Sequence, residues 1–279
     1  MIWNTGRRTF DLANRGVIMG VINVTPDSFS DGGNFTAASA AVDHGLRLVD
    51  EGAEILDIGG ESTRPGAAPV TAEEELRRVL PVIEGLAAKT GAAMSIDTSK
   101  ASVARAAVAA GAEIINDVTA LQGDDDMARV AAESGCAVVL MHMRGTPRTM
   151  QQDPHYDDVV AEVSAHLAQR VDAARAAGIV ADRIAIDPGI GFGKTVEHNL
   201  QLIAGLGSFA ALGHSVLLGV SRTSFLATAA QCQNVEDRDV PTAVLTAEGF
   251  RLGARIFRVH DPRPNVQALR LAESLSLVR

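Results

Sequence analysis

The sequence has little of the chemistry that marks several classes of protein. It contains two cysteines, Cys136 and Cys232, which are too few for a disulfide framework or a cysteine-ligated zinc site. Its 25 basic residues against 34 acidic ones give a formal charge of -9, which argues against non-specific binding to nucleic acid. No apolar run approaches the roughly 18 residues that a membrane span needs, and the N-terminus lacks a basic segment followed by an apolar one. The composition therefore predicts a cytoplasmic protein that binds neither membranes nor nucleic acid.

Short apolar strands and amphipathic helices alternate along the chain. The run VIMGVIN at 17–23 predicts a buried strand, because it ends at a polar residue and a loop rich in proline and glycine follows. Apolar residues at helical spacing and a capping box at 71–74 indicate helices. The predicted strands are 17–23, 55–58, 94–97, 113–116, 137–142, 183–187, 215–219 and 255–258. The predicted helices are 37–51, 71–89, 102–110, 127–134, 155–177, 198–206, 241–252 and 264–277.

Eight such alternations with short connections predict parallel strands joined by crossover helices. We therefore expect an α/β fold, a (β/α)8 TIM barrel, with residues 1–16 forming an N-terminal hairpin that plugs its lower end. The length of 279 residues is typical of one such barrel, so a single domain over 1–279 is predicted. The alternative is an open doubly wound sheet, but no GxGxxG dinucleotide fingerprint follows the first strand.

Polar residues stand at or just after the C-terminal ends of all eight predicted strands. In a barrel these ends surround one mouth, where catalytic residues are found. Any single member could instead cap a helix or bind loop amides, and Asp57 and Asp117 are the weakest candidates for that reason. For the eight strands together, a converging site is the better explanation. The set comprises Asn23, Asp57, Asp97, Asn116, His142, Asp187, Ser221, and Arg258 with His260.

This set divides into two chemical types. Asp97, Asn116 and Asp187 offer hydrogen-bond acceptors to a flat heterocycle rich in N–H donors, and a carboxylate can bind a guanidine-like edge with two hydrogen bonds. The last two strands supply Gly219, Ser221, Arg222, Arg258 and His260. Barrels often bind phosphate there, so we expect an anionic part of the substrate across the mouth from its heterocycle. Asn23 could then ligate a divalent cation that is shared with phosphate oxygens.

The stretch DPGIGFGKT at 187–195 resembles a nucleotide-binding P-loop but fails its pattern. Pro188 stands where GxxxxGK[ST] requires its first glycine. The three glycines instead allow the backbone to approach a ligand closely, and Phe192 offers an aromatic face. We therefore expect a ligand-binding loop and reject an NTPase.

Seven motifs, in this order, resemble those of the dihydropteroate synthase family. They are NVTPDSFSDGG (23–33), DIGGESTRP (57–65), SIDT (95–98), INDV (115–118), MH (141–142), DPGIGFG (187–193) and RVH (258–260). That family is a TIM barrel, commonly dimeric, which joins 6-hydroxymethyl-7,8-dihydropterin diphosphate to 4-aminobenzoate in folate synthesis. The resemblance implies the same fold, reaction, Mg²⁺ cofactor and homodimer here. Leu269, Leu271 and Leu275 of the last helix would belong either to the dimer interface or to the core.

The resemblance also implies roles for individual residues. The pterin would be bound by Asp97, Asn116, Asp187, Gly191, Phe192 and Thr223. The diphosphate would be bound by Asn23 through Mg²⁺ and by Thr63, Arg258 and His260. The aminobenzoate pocket would be shaped by Phe29, Arg64, Pro65 and Ser224, once the long loops 23–34 and 59–66 have closed. Asp31 would help to stabilise the pterin cation that forms when the diphosphate leaves, which completes a catalytic set of Asn23, Asp31, Asp97, Arg258 and His260.

One position departs from the family pattern. The family usually reads Ser-Arg-Lys-Ser after the seventh strand, whereas this chain has SRTS at 221–224, so Thr223 replaces a lysine. A lost charged hydrogen bond costs about 1.5–3 kcal/mol, so the pterin site is expected to be weakened, or rewired through Arg222 or Lys194. Two alternatives remain open. One is a non-catalytic pterin-binding paralogue, and the other is a corrinoid-dependent methyltetrahydrofolate methyltransferase, which would need no diphosphate site.

Overall fold

Eight parallel strands close into a barrel in the computed structural model, which describes residues 1–25, 33–62, 67–146 and 148–278. Each strand pairs with its neighbours in sequence, and the last strand closes the barrel against the first. The barrel strands are β3 (Val17–Asn23), β4 (Ile55–Gly59), β5 (Ala93–Asp97), β6 (Ile114–Asp117), β7 (Ala137–Met141), β8 (Ile184–Asp187), β9 (Ser215–Leu218) and β10 (Ile256–Val259). The predicted (β/α)8 barrel is confirmed.

Helices occupy the connections between the strands, close to their predicted positions. They are α1 (Gly33–Asp50), α2 (Ala72–Ala87), α3 (Ala101–Ala110), α4 (Met127–Ser134), α5 (Val159–Ala176), α6 (Val196–Ala204), α7 (Leu206–Ala210), α8 (Phe225–Ala229), α9 (Asp239–Arg251) and α10 (Pro262–Ser276). Within the ranges described above, none of the helices combines the length and the hydropathy that a membrane span requires.

Helix α1 begins at Gly33, four residues before its predicted start, and three further predictions differ from the structure. The helix predicted from 155 begins at Val159, because Asp158 is its N-cap and accepts a hydrogen bond from the backbone N–H of Ala161. The helix predicted over 198–206 is two helices, α6 and α7, which meet at Gly205. The short helix α8 was not predicted, and its five residues are too few to show a helical period.

The predicted N-terminal hairpin is present. Strands β1 (Ile2–Asn4) and β2 (Thr9–Asp11) pair antiparallel, with Trp3 opposite Phe10. Trp3, Phe10 and Leu12 are buried in one apolar cluster with Val17 and Ile256, which lie at the N-terminal ends of barrel strands. The hairpin therefore covers the lower end of the barrel, opposite the ends at which the polar residues cluster.

The barrel wall separates two apolar clusters. The inner cluster contains alternate strand residues, among them Met19 of β3 and Ile55 of β4. The residues between them, such as Ile18 and Leu56, face outward and belong to the larger cluster that packs against the helices. Because successive side chains of a strand point to opposite faces, the residues that continue the inner row lie inside the upper mouth of the barrel.

Candidate active site

The inner face of the barrel becomes polar toward the C-terminal ends of its strands. Along β4, Ile55 is followed two and four positions later by Asp57 and Gly59 on the same face. The neighbouring strands repeat this change from apolar to polar. The inner polar row comprises Asn23, Asp57, Ser95, Asp97, Asn116, Asp187 and Arg258. The acids and the arginine predicted to form the site therefore share one rim.

Arg258 lies at the centre of this rim and joins two carboxylates. Its Nε donates to Asp57 Oδ2 at 2.6 Å, and its Nη2 donates to Asp97 Oδ2 at 2.8 Å. The same oxygen of Asp57 also accepts a hydrogen bond from Asn116 Nδ2 at 3.0 Å. Burial would lower the pKa of Arg258, but the charges of Asp57 and Asp97 outweigh it and raise this pKa above its usual value. The predicted separation of acids from bases across the mouth does not hold for Arg258, because a buried guanidinium needs carboxylate partners.

Asp97 is a carboxylate of this rim whose pKa is strongly raised. Burial raises its pKa to about 7, against the opposing charge of Arg258 and with the help of the negative charges of Asp57, Glu75 and Asp117. Asp97 can therefore gain or lose a proton near neutrality in the ligand-free protein. A ligand that donates hydrogen bonds to this carboxylate would favour its ionised form.

Asp187 sits at the end of β8, at the start of the glycine-rich loop 187–193. Its Oδ1 accepts a hydrogen bond from the backbone N–H of Gly189 at 2.7 Å, and burial raises its pKa to about 6. Gly189 has φ +68°, and a Cβ there would lie 1.9 Å from the carbonyl oxygen of His142. Only glycine fits this position, which keeps the loop close to the carboxylate.

Lys194 directly follows this loop, and its side chain is almost completely buried. Its Nζ donates to the carbonyl oxygen of Phe192 at 2.9 Å and lies 3.0 Å from His142 Nδ1. Burial lowers the pKa of Lys194 to about 7, although the charge of Asp187 opposes the shift. Burial, with the charge of Lys194, also lowers the pKa of His142 to about 2. His142 is therefore a neutral partner of Lys194, and the two side chains connect the end of β7 to the loop after β8.

The Thr223 hydroxyl is used within its own turn. It donates to the carbonyl oxygen of Val220 at 2.7 Å, and the side chain faces Gly191, where a Cβ would be 3.5 Å from the threonine methyl. Arg222 is turned toward α9, where its Nε and Nη2 both donate to Asp239 at 2.8 Å. The Lys194 ammonium is likewise engaged, by Phe192 and His142. Among the residues that the structure describes, neither Arg222 nor Lys194 therefore takes the place of the missing lysine.

The remaining predicted site residues within the described ranges lie after the ends of β8, β9 and β10. His260 is hydrogen-bonded to Ser221. The Ser221 Oγ accepts a hydrogen bond from the His260 backbone N–H at 3.1 Å and lies 3.0 Å from His260 Nδ1. Ser224 is exposed at the start of α8. Phe192 and Gly191 are half-buried in the loop after β8, and Gly191 donates its N–H to Asn199 Oδ1 at 2.8 Å.

Asn23 is the candidate for a metal ligand. Its side chain is half-buried at the end of β3, in register with Gly59, and its amide oxygen is a hard donor that suits Mg²⁺. No group of three or more His, Cys, Asp or Glu side chains that could hold a metal occurs among the described residues. One amide ligand fits a Mg²⁺ ion that takes its other ligands from phosphate oxygens and water.

Beside Asp97, a cavity of about 290 Å³ also opens toward Glu61 and Val118.

Five of the predicted site residues lie outside the described residues. They are Phe29, Asp31, Thr63, Arg64 and Pro65. Their roles in the diphosphate site, the aminobenzoate pocket and the stabilisation of the cation stay predictions.

Comparison with known proteins shows the family of this chain. The pterin-binding enzyme family matches residues 19–260. The dihydropteroate synthase of Escherichia coli (strain K12) is 44% identical over 262 residues, which cover 92% of this chain and 90% of that protein. A Xanthomonas albilineans dihydropteroate synthase with 4-aminobenzoic acid matches at TM-score 0.93 and 47% identity, over 100% of this chain and 99% of that chain. The same organism's enzyme in complex with 7,8-dihydropteroate matches at TM-score 0.90 and 45% identity, over 100% of both chains.

The chain belongs to the dihydropteroate synthase family. The function of this synthase is that of its relatives, the formation of dihydropteroate, and the corrinoid-dependent methyltransferase is rejected. The predicted family and enzyme class are confirmed. Asp57 and Asp117 were the weakest candidates because each could bind backbone amides. Asp117 does accept hydrogen bonds from the backbone of Thr119 and Leu121. Asp57 instead accepts hydrogen bonds from the side chains of Arg258 and Asn116, which the sequence did not indicate.

Proposed function

We propose that this synthase binds 6-hydroxymethyl-7,8-dihydropterin diphosphate in the barrel mouth and joins its pterin-methyl group to 4-aminobenzoate. The observation that carries the proposal is the shared rim, on which Asp97 and Asn116 are register partners and Arg258 contacts Asp97 directly. The Xanthomonas albilineans relatives with 4-aminobenzoic acid and with 7,8-dihydropteroate support the choice of substrates.

In this proposal the heterocycle lies against the acidic side of the rim. Asp97, Asn116 and Asp187 accept hydrogen bonds from the amino-pyrimidine edge, for which both carboxylates have to be ionised. Gly191 and Phe192 of the loop after β8 border the ring, and Thr223 faces Gly191. Burial raises the pKa of Asp97 and of Asp187, so binding is coupled to the loss of protons near and below neutral pH.

The diphosphate lies beside Asn23, Arg258 and His260, and Arg258, which contacts Asp97, lies where the two parts of the substrate meet. The Asn23 oxygen would hold Mg²⁺, which would supply positive charge to the leaving diphosphate. Arg258 and His260 bind phosphate oxygens, and Thr63 adds a hydroxyl donor from the β4–α2 connection.

The reaction needs no protein nucleophile. The bond between the pterin-methyl carbon and the diphosphate oxygen breaks first, with its electron pair leaving on diphosphate, and the pterin ring stabilises the resulting cation. The amine of 4-aminobenzoate then forms the new carbon–nitrogen bond and releases a proton to solvent. Asp31 stabilises the cation by its charge. Phe29, Arg64, Pro65 and Ser224 shape the aminobenzoate pocket.

We also propose a single domain over 1–279 that acts as a cytoplasmic homodimer through α9 and α10. The two helices pack together, and Thr246 of α9 donates to Asn265 of α10 at 2.6 Å. Leu269 is buried, which makes it part of the core, whereas Leu271 and Leu275 are 63% and 56% exposed. Val240 and Val244 of α9 are also exposed. Exposed apolar side chains of this size on adjacent helices are typical of a subunit interface.

The direct test measures diphosphate release with and without each substrate and with and without Mg²⁺. We expect dihydropteroate only when the pterin diphosphate, 4-aminobenzoate and Mg²⁺ are all present, and in that mixture one diphosphate released for each dihydropteroate formed. A protein that binds the pterin diphosphate but forms no dihydropteroate would instead be the non-catalytic paralogue that Thr223 suggested.

A further inference from the structure

Three charged side chains form a cluster at the edge of the mouth, outside the rim described above. Lys100 hydrogen-bonds through Nζ to Glu61 Oε2 and, at 2.5 Å, to Glu75 Oε2. The Glu75 side chain is 0% exposed, whereas those of Lys100 and Glu61 are about a quarter exposed, at 23% and 25%. Glu61 belongs to the β4–α2 connection, Glu75 to α2 and Lys100 to the β5–α3 connection, so one ammonium group joins three segments.

Contacts around this cluster fix both ends of the β4–α2 connection. Glu61 Oε1 accepts a hydrogen bond from the backbone N–H of Val70 at 3.2 Å, near the other end of the connection. The carbonyl oxygen of Gly60 accepts from Arg78 Nη1 at 2.8 Å. Gly60 also packs so closely on Glu75 that a Cβ would lie 3.0 Å from Glu75 Cγ. The connection therefore leaves β4 and enters α2 with its ends held against this helix and against Lys100.

The cluster also borders the active site. Glu61 and Glu75 line the cavity of about 290 Å³ that opens beside Asp97. Lys100 follows Asp97 by three residues, and its backbone N–H donates to Thr98 Oγ1 at 3.2 Å. Burial would lower the pKa of Lys100, but its hydrogen bonds to Glu61 and Glu75 outweigh that effect and raise it. Lys100 is therefore a permanent cation that compensates the buried carboxylate of Glu75.

We propose that Lys100 is a positioning residue for synthesis, which holds the β4–α2 connection at its working place beside Asp97 without touching the substrate. This inference rests on the proposed function of the rim. In this proposal, binding of the pterin ring and positioning of the β4–α2 connection depend on different residues. The strands hold Asp97, Asn116 and Asp187 for the pterin ring, and Lys100 holds the adjoining connection for the steps that need the diphosphate and the arylamine.

The test compares synthesis with the binding of a pterin that carries no phosphate. Lys100→Met should lower kcat/KM for synthesis about ten- to a hundredfold, the effect of losing a charged hydrogen bond. The Kd of the phosphate-free pterin should stay within about twofold, because the strand residues that would bind it remain in place. Lys100→Arg should restore most of the activity, since a guanidinium keeps the charge and can reach both carboxylates.

A second variant keeps the test decisive if Lys100→Met leaves Glu75 too poorly compensated to fold. The double variant Lys100→Met with Glu75→Gln removes the buried charge, so it should regain Tm but keep the loss in kcat/KM, because Glu61 still lacks its partner. Arg77→Met is the matched control. It removes the cation that pairs with Glu74 on the exposed side of α2, and it should leave both measurements unchanged.

Either of two results would overturn the inference. One is wild-type kcat/KM in a folded variant without Lys100, and the other is a parallel loss of phosphate-free pterin binding, which would indicate general damage to the site. A wild-type protein that forms no dihydropteroate would overturn the proposed function first, and this inference with it.

Discussion

Replacing Asp57 by asparagine perturbs the centre of the rim with little change in shape. Asp57 is fully buried, and its Oδ2 accepts hydrogen bonds from Arg258 Nε at 2.6 Å and from Asn116 Nδ2 at 3.0 Å. Asparagine removes the charge and turns one of the two terminal oxygens into a donor group. Arg258 then keeps one carboxylate partner, Asp97, and Asn116 loses a charged acceptor.

This substitution should change two measurable quantities, the value of kcat/KM and the pH of its acid limb. A hydrogen bond to a charged group is worth about 1.5–3 kcal/mol, so misplacing Arg258 should lower kcat/KM about ten- to a hundredfold. The negative charge of Asp57 helps to raise the pKa of Asp97 to about 7. Removing that charge makes Asp97 easier to ionise, which should move the acid limb of the kcat/KM profile to lower pH.

The assay is diphosphate release as a function of pH, measured at low pterin diphosphate so that it reports kcat/KM. Asp117→Asn is the control for the loss of a buried carboxylate, because Asp117 is a buried aspartate on β6, two strands from β4, whose acceptors serve the backbone of Thr119 and Leu121. It should lower Tm and leave the plateau of kcat/KM nearly unchanged, while the loss of its charge also moves the acid limb to lower pH, because that charge helps to raise the pKa of Asp97. Wild-type kcat/KM in Asp57→Asn, or an acid limb that moves to higher pH, would refute the reasoning.

Three further predictions follow from the site and the surface. Thr223→Lys should raise kcat/KM for the pterin diphosphate, because it adds a charged donor beside Gly191, and steady-state kinetics with an unchanged or lower value would count against this. At pH 6, binding of a phosphate-free pterin should release protons, because Asp97 with its pKa of about 7 has to ionise. Calorimetry in two buffers of different ionisation enthalpy measures this release, and equal heats would contradict it. Leu271→Glu combined with Leu275→Glu should give a monomer by sedimentation, and a persistent dimer would place the interface elsewhere.

The fold was predictable because its signals are local and repeated. Each buried strand is a short apolar run, each helix has its own period, and eight repetitions leave few ways to close a parallel sheet. The errors occurred where one residue decides a boundary. Asp158 caps α5, which begins at Val159, four residues after the predicted start, and Gly205 divides a predicted single helix in two. Periodicity does not resolve such positions, because the cap competes with the apolar pattern over less than one turn.

The composition of the site was predictable, but its pairing was not. Barrel topology brings strand ends to one mouth, which was enough to place Asp97, Asn116, Asp187 and Arg258 together. Arg258 and Asp57 are 201 residues apart in sequence, and the contact between them depends on the closure of β10 against β3, which pairs on its other edge with β4. Sequence spacing carries no such information. The separation of acids from bases was therefore expected from residue types, whereas burial favours their contact.

A crystal structure of the protein with a non-hydrolysable analogue of the pterin diphosphate tests the central claim most directly. We expect the amino-pyrimidine edge within hydrogen-bond distance of Asp97, Asn116 and Asp187, with the phosphates at Arg258 and His260 on the same rim. A ring bound away from these two aspartates, or phosphates on the far side of the barrel from Arg258, would contradict it.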